Sequence, residues 1–106
     1  MTDAIDAEIA KISEDLDKLD AEITKLLGEE PDEDIRIRAG AQVYEKIKRS
    51  ADLLREISRR YHDPRLDECV EKVIAITSRL LIAIFYTTDE QIQKGMDAFR
   101  KDIYGE

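Results

Sequence analysis

The fold is decided near the start of the chain, where residues 5–27 read IDAEIAKISEDLDKLDAEITKLL. Apolar residues recur there at alternating spacings of four and three, the a/d pattern of a helix that packs along one seam. We expect Thr2 or Asp3 to cap the start of this helix, and Gly28 to end it as a left-handed C′ residue. The seam consists of Ile5, Ile9, Ile12, Leu16, Leu19, Ile23 and Leu26.

An acidic stretch, EEPDED at residues 29–34, separates this helix from the next one. It is either a cluster of metal-binding carboxylates or the start of a second helix, and its composition favours the helix start. Pro31 suits a first helical turn, and the acidic residues after it are stabilised by the positive end of a helix dipole. We expect a second helix over residues 32–61, in which the small residues 39–41 let a neighbour approach at some cost in helix propensity. Its seam is Gly40, Val43, Ile47, Ser50, Leu54, Ile57 and Tyr61.

The third predicted helix begins at Pro64 and contains the apolar-rich residues 69–86, CVEKVIAITSRLLIAIFY. On a helical projection its apolar side chains cover roughly half of the circumference, which is typical of a central helix or of one that also contacts a second subunit. Ile82 and Tyr86 lie outside this stripe, on the back of the helix. The stripe comprises Leu66, Val70, Val73, Ile74, Leu80, Leu81, Ile84 and Phe85.

The fourth predicted helix follows a capping box, in which Thr88 is the N-cap and Gln91 lies three residues further on. Gly105 is expected to end it. Together the four elements predict an all-α fold, an antiparallel four-helix bundle that occupies residues 1–106 as a single domain. Helices 1 and 2 would form a long hairpin on which the two shorter helices pack. The apolar positions of helix 4 are Ile92, Met96, Phe99 and Ile103.

Charge is distributed unevenly along the chain, whose net charge is −8. Residues 1–34 hold 13 acidic and 3 basic side chains, whereas residues 35–66 hold 4 acidic and 9 basic ones. Because a short connection makes helices 1 and 2 antiparallel neighbours, we expect the acidic first helix to pair with the basic second one. Pairs four residues apart match part of the helix 2 charge within that helix. These pairs are Glu45 with Arg49 and Glu56 with Arg60.

The composition argues against several classes of partner. An acidic chain repels nucleic-acid phosphates and anionic membrane surfaces, so we expect no nucleic acid and no membrane as a partner. The longest apolar run, LLIAIFY at residues 80–86, is far shorter than the ~20 residues of a membrane span. Cys69 is the only cysteine and cannot form an internal disulfide, so a reducing cytoplasmic location is the simplest expectation.

The corner between the second and third helices, residues 59–72, reads RRYHDPRLDECVEK and holds the only histidine, His62. A zinc site formed by His62, Cys69 and nearby carboxylates is conceivable, but the seven-residue spacing matches no recognised ligand pattern. A helix corner accounts for more of the residues, because Asp63 is a good N-cap and Pro64 suits the first helical position. We therefore expect Cys69 to be a small buried side chain. No catalytic, cofactor-binding or metal-binding residue is assigned.

Residues 12–30, ISEDLDKLDAEITKLLGEE, resemble the first helix of the all-α chorismate mutases, whose pattern there is Leu-Arg-x-x-Ile-Asp-x-Ile-Asp-x-x-Ile-x-x-Leu-Leu-x-x-Arg. Ser13, Glu30 and Leu66 stand where that family has arginines that hold the substrate's carboxylates. The resemblance therefore implies the helical scaffold without the activity. The positions in register are Leu16, Asp17, Leu19, Asp20, Ile23, Leu26 and Leu27, and Lys46, Asp63 and Pro64 are further counterparts.

A second resemblance concerns two residues. Arg55 and His62 have the Arg-x6-His spacing of helical endoribonuclease domains, in which an arginine and a histidine act on the RNA backbone. In a basic stretch such as residues 35–66, an arginine near this distance is also expected by chance. The resemblance keeps an RNase-like activity among the alternatives.

The function that these patterns favour is that of a small cytoplasmic protein–protein interaction module without catalysis. The wide stripe of helix 3 predicts that it forms a homodimer, or docks on a protein partner, through that helix. The alternative is an enzyme or a binder of anionic ligands that uses the basic cluster of helix 2. An enclosed polar pocket lined by Arg55, Arg59 or Lys46 would favour the alternative. The cluster consists of Lys46, Lys48, Arg49, Arg55, Arg59 and Arg60.

Overall fold

A computed structural model describes residues 2–105 of the protein, with side chains from residue 4 onward. The predicted all-α four-helix bundle is confirmed, since this part of the chain forms four helices and no strand. The predicted cap at Thr2 or Asp3 falls on side chains outside the described part. The bundle is elongated, measuring 47 × 28 × 16 Å. The helices are α1 (Thr2–Gly28), α2 (Glu33–Arg60), α3 (Pro64–Ala83) and α4 (Asp89–Tyr104).

Helix α3 lies at the centre of the bundle. It packs against both members of the long α1–α2 hairpin and, on its other side, against α4. Helix α4 contacts α2 and α3, and no described residue of α4 packs against α1. Because α3 has three helical neighbours, most of its wide apolar stripe is covered within the chain, and Leu81 and Phe85 are half-buried. The most deeply buried side chains of this core are Leu16, Ile23, Ile47, Leu54, Cys69, Val70, Leu80 and Ile84.

The predicted caps at the later helix ends are confirmed. The Asp63 carboxylate accepts a hydrogen bond from the Arg65 backbone N–H at 2.9 Å, with proline at the first position of α3. The Thr88 hydroxyl accepts one from the Gln91 backbone N–H at 3.3 Å. Gly105 ends α4 in a left-handed conformation, with φ of 71°. These ends satisfy backbone groups that a helix leaves without internal partners.

Two other helix ends differ from the prediction. Gly28 is the last residue of α1, and the left-handed residue of this connection is Glu30, with φ of 46°. The backbone N–H of Glu30 bonds to the Leu27 carbonyl at 3.4 Å, so the chain turns two residues later than glycine would suggest. Pro31 consequently lies in the connection, before the first turn of α2, which begins at Glu33.

Helix α3 is also shorter than its apolar pattern indicates. It ends at Ala83, and Tyr86 lies beyond it in a left-handed conformation with φ of 52°. The Thr87 backbone N–H bonds to the Leu81 carbonyl at 3.0 Å and closes the turn. The prediction that Tyr86 lies on the back of a continuing helix was therefore wrong. This backbone hydrogen bond ends α3, although the apolar pattern of the sequence continues.

Gly40 of α2 closely contacts the two residues that follow α3. A Cβ atom at this position would lie 2.9 Å from Cγ2 of Ile84 and 3.5 Å from Cε2 of Phe85. The first distance is shorter than carbon atoms accept without moving. The expectation that small residues let a neighbour approach is thus confirmed at Gly40, whereas Ala41 is exposed. Tyr61, the last residue of the predicted α2 seam, is also exposed, because it lies past the end of the helix.

Candidate functional site

A groove of about 250 Å³ lies where α2, α3 and α4 meet. It is open to solvent along part of its length, and small residues from facing helices, Ala51 on α2 and Gly95 on α4, line it together with larger ones. Pockets that hold small organic ligands are concave and mostly apolar, with a few polar groups that orient the ligand. The apolar walls of this groove are Ile47, Val73, Ile74, Leu81, Ile92, Met96 and Phe99.

Two cations line the groove, and Arg55 makes more contacts with neighbouring side chains than the other one does. Its guanidinium carbon lies 5.2 Å from the centre of the Phe99 ring, a cation–π distance. Its Nη1 atom is 2.7 Å from an Asp52 carboxylate oxygen, and its Nε atom is 3.6 Å from an Asp102 carboxylate oxygen. The Nε–H is buried without a hydrogen-bond partner among the described residues. Two carboxylates therefore offset the charge of Arg55.

Lys48, the other groove-lining cation, lies two helical turns before Arg55 on the same face of α2. Its Nζ atom is 5.9 Å from the centre of the Tyr44 ring. Within residues 4–105 it forms no ion pair. Lys48 is exposed, so its ammonium group stands at the solvent side of the groove with its positive charge unmatched.

The basic cluster predicted on α2 is divided among different surfaces. Arg55 lines the groove, but Lys46 faces α1 and pairs with Glu22 at 3.5 Å. Arg59 is exposed and does not line the groove. His62 is exposed past the end of α2, outside the groove that contains Arg55. Lys46, Arg55 and Arg59 therefore share no pocket, and the groove that does form is mostly apolar and partly open.

Both cations of the groove belong to the basic cluster predicted on helix 2, but the sequence analysis did not group Lys48 with Arg55 and did not predict a role for Gly95. A signal for the grouping was available, because a residue seven positions before Arg55 lies on the same helical face. Gly95 was a second signal, because a glycine in the interior of a helix destabilises it and so indicates a packing or functional role. No local sequence pattern predicts where α4 packs, and α4 forms the third wall of the groove.

The acidic residues of α1 pair chiefly with α3, which corrects the charge layout expected from the sequence. Lys46–Glu22 is the one ion pair between α1 and α2 among the described residues. Three cations spaced seven residues apart on α3 instead meet α1, which runs parallel to it. These pairs are Arg65 with Asp6, Lys72 with Asp17 at 3.0 Å and Arg79 with Asp20 at 2.7 Å. We call them the α1–α3 ladder.

The helix corner contains a buried thiol and an exposed imidazole. Cys69 is 2% exposed, as predicted, and burial raises the pKa of its thiol. It lines a small cavity of about 180 Å³ between α1 and α3, together with Asp6, Ser13 and Arg65. Over residues 4–105, no group of three or more histidine, cysteine or carboxylate side chains is arranged to hold a metal ion.

Large apolar side chains are exposed at the end of the bundle where α2 begins and α3 ends. Ile35 and Ile37 lie in the first turns of α2, and they are 54% and 40% exposed. Ile82 lies in the last turn of α3 and is 49% exposed, and Tyr86 follows the helix and is 67% exposed. Arg36 donates a hydrogen bond to the Tyr86 hydroxyl at 2.9 Å and so joins the two segments. We call these four apolar side chains the apolar end.

Comparison with known proteins finds no matching family model, no similar curated protein and no similar solved structure. The resemblance to the chorismate mutases therefore stays a prediction. Of the three positions that depart from that family, Ser13 accepts a hydrogen bond from Lys72 at 2.8 Å, and Leu66 is buried in the core. Glu30 lies in the connection after α1. None of the helices described is both long and apolar enough to cross a membrane.

Proposed function

We propose that this chain is a small helical protein–protein interaction module that self-associates through its apolar end. The observation that carries the proposal is the exposure of Ile35, Ile37, Ile82 and Tyr86 at the end of the bundle where α2 begins and α3 ends, and where Tyr86 is hydrogen-bonded to Arg36. Large apolar side chains that stay in water forgo roughly 25 cal/mol for each Å² that a partner could bury. Exposed apolar groups that lie together are more informative than single ones, since they mark interaction surfaces in many proteins.

The proposed homodimer interface lies at this end of α3 and not along its stripe. Most stripe residues are covered by α1, α2 and α4 within one chain, and Leu81 and Phe85 are half-buried. Ile82 is the α3 residue left exposed, and it carries the interface that we propose. The seam of α1 does not compete for this role, because its apolar residues are buried inside the bundle.

A reducing cytoplasm is the compartment that we propose. Cys69 is the only cysteine and its thiol is buried in the core, so the chain has no second thiol with which it could form an internal disulfide. The net charge of −8 supports a protein partner over nucleic acid or an anionic lipid surface.

The proposal is tested by the mass of the purified protein and of two variants. We expect sedimentation equilibrium at micromolar concentration to give about twice the chain mass of 12.2 kDa. Ile82→Glu should lower this mass towards the single chain without changing helical content, because it places a charge in the apolar contact. Ala98→Glu, which adds the same charge at an exposed position of α4, should leave the mass unchanged.

A wild-type protein that sediments as a single chain would exclude the homodimer. The interaction module would then require a different protein as its partner. If Ile82→Glu and Ala98→Glu both kept the dimer intact, the interface would lie away from the apolar end.

A further inference from the structure

We propose that the groove between α2, α3 and α4 binds a small organic acid with one apolar body and one carboxylate, and that Lys48 pairs with the carboxylate. This inference is independent of the self-association proposed above. It follows from three properties of the groove: the sign of the charges around it, the glycine in its wall and its size.

The first property is the sign of the charges. The chain has 25 acidic and 17 basic residues, yet none of the described residues that line the groove is acidic, and its charged residues are Lys48 and Arg55. Asp52 and Asp102 neutralise Arg55 from outside the groove. Lys48 keeps an unmatched charge, so an anion placed in the groove meets a free cation and no lining carboxylate. A cationic ligand would find no counter-ion there.

The second property is the glycine in the α4 wall. Gly95 is not among the described residues with positive φ, and a Cβ atom there would meet nothing within 4 Å. Neither backbone conformation nor tight packing therefore requires glycine, although glycine weakens a helix relative to alanine. Gly40 is different, because its Cβ would collide with Ile84. The missing side chain at Gly95 leaves the α4 wall of the groove open.

The third property is size. An apolar cavity of about 150 Å³ accommodates benzene, and the groove has about 250 Å³. Its walls are aliphatic and aromatic side chains with Met96 among them, an adaptable surface for a flexible chain. An apolar body somewhat larger than benzene, such as a chain of eight carbons, fits this volume. The carboxylate then remains at the solvent side, where Lys48 lies.

The test uses octanoate, octanol and octylamine as probes, which share a chain length and differ in charge. We expect octanoate to bind most tightly and octylamine least tightly, as measured by calorimetric titration of the full chain. Shifts in the NMR signals of the Met96 methyl group and the Gly95 amide should locate the ligand in the groove. Comparable binding of all three probes, or shifts that avoid the groove, would overturn the proposal.

Two pairs of variants separate the roles of charge and space. Lys48→Met should weaken octanoate binding roughly threefold, the effect of removing one exposed ion pair, and should leave octanol binding unchanged. Arg49→Met is the matched control, because Arg49 is exposed on the same helix and does not line the groove. An equal loss in both variants would show that general electrostatics, and not Lys48, attracts the anion.

Gly95→Leu should fill the open wall and weaken octanoate binding at least tenfold, while Gly95→Ala should retain binding because a methyl group there has space. Circular dichroism serves as the control, and both variants should keep their helical content. Unchanged binding by Gly95→Leu would place the ligand elsewhere. If wild-type protein bound no octanoate and Gly95→Leu reduced the mass of the assembly, the groove would seat a second copy of the chain, and the ligand proposal would be wrong.

Discussion

Asp63 connects the local chemistry of the helix corner to the stability of the bundle. Its carboxylate accepts the backbone N–H of Arg65 at 2.9 Å and pairs with the Arg65 guanidinium. The hydrogen bond from the Arg65 side chain lowers the pKa of Asp63 from 3.8 to about 2. Arg65 also reaches Asp6 on α1, so one arginine joins the cap of α3 to the start of the ladder.

The lowered pKa of Asp63 predicts how stability depends on pH. A carboxylate with a folded-state pKa below its unfolded value contributes stability above the unfolded value, and this contribution is lost as pH falls through the folded value. In the variant Asp63→Asn, the asparagine side chain would still cap the helix but would carry no charge. We expect wild type to have a higher melting temperature than Asp63→Asn at neutral pH, and the difference should shrink between about pH 4 and about pH 2.

Melting curves followed by circular dichroism across this range provide the measurement. Glu14→Gln serves as the control, because Glu14 is exposed and pairs only with Lys18 in its own helix among the described residues. A difference between wild type and Asp63→Asn that stayed constant down to pH 2 would mean that the charge of Asp63 does not stabilise the folded state.

Single glycines decide how closely the helical elements approach. Gly40 lies where α2 meets the end of α3, and a Cβ there would be 2.9 Å from Ile84, which is itself only 1% exposed. Gly28, at the end of α1, has nothing within 4 Å of the corresponding position. The same residue type thus has a packing role in one element and none in the other.

Alanine substitutions at these two glycines should have opposite effects. We expect Gly40→Ala to destabilise the protein by about 1 kcal/mol, because the overlap with Ile84 outweighs the better helix propensity of alanine. Gly28→Ala should stabilise it by about 0.5 kcal/mol, since it gains propensity without an overlap. Urea unfolding would measure both free energies. Equal gains in the two variants would mean that Ile84 moves aside at no cost. The contact between residue 40 and Ile84 would then not affect the free energy of unfolding.

At the scale of the whole molecule, the α1–α3 ladder sets the register of two helices that are far apart in sequence. Arg79 and Asp20 form one of its contacts, with Nη1 2.7 Å from a carboxylate oxygen. Both side chains are partly exposed, at 38% and 50%, so solvent weakens their attraction. The apolar core provides most of the stability. Short connections join α1 to α2 and α2 to α3, so α3 lies parallel to α1, and the ladder adds a preference for one register of these two helices.

A double-mutant cycle on Asp20 and Arg79 measures this contribution. We expect Asp20→Asn and Arg79→Met to show a coupling energy of about 0.5 kcal/mol in low salt. The coupling should decrease in about 1 M sodium chloride, where the screening length is roughly 3 Å. Urea unfolding of the four proteins at each salt concentration provides the values. A coupling of zero in low salt would show that this ion pair does not contribute to the register of α1 against α3, which apolar packing alone would then set.

The sequence by itself determined the elements, because their signals are local. The heptad seam of α1, the caps at Asp63 and Thr88 and the stop at Gly105 depend on interactions within a few residues, and the structure confirms them. The burial of Cys69 followed in the same way from its place on an apolar helical face. Backbone closures were not predicted: the left-handed residue after α1 is Glu30 and not Gly28, and α3 ends at Ala83, before its apolar pattern does.

Only the tertiary structure decided which helix faces which. The sequence placed Arg55 among the candidate cations, but the groove forms because α4 packs across α2 and α3 and brings Phe99 against Arg55 and Gly95 opposite Ala51. The pairing of acidic α1 chiefly with α3, and only once with its neighbour in sequence among the described residues, has the same origin. Each helix must bury its apolar face against several neighbours, and packing with all of them determines its rotation about its own axis. That rotation determines which charges meet and which cavity remains.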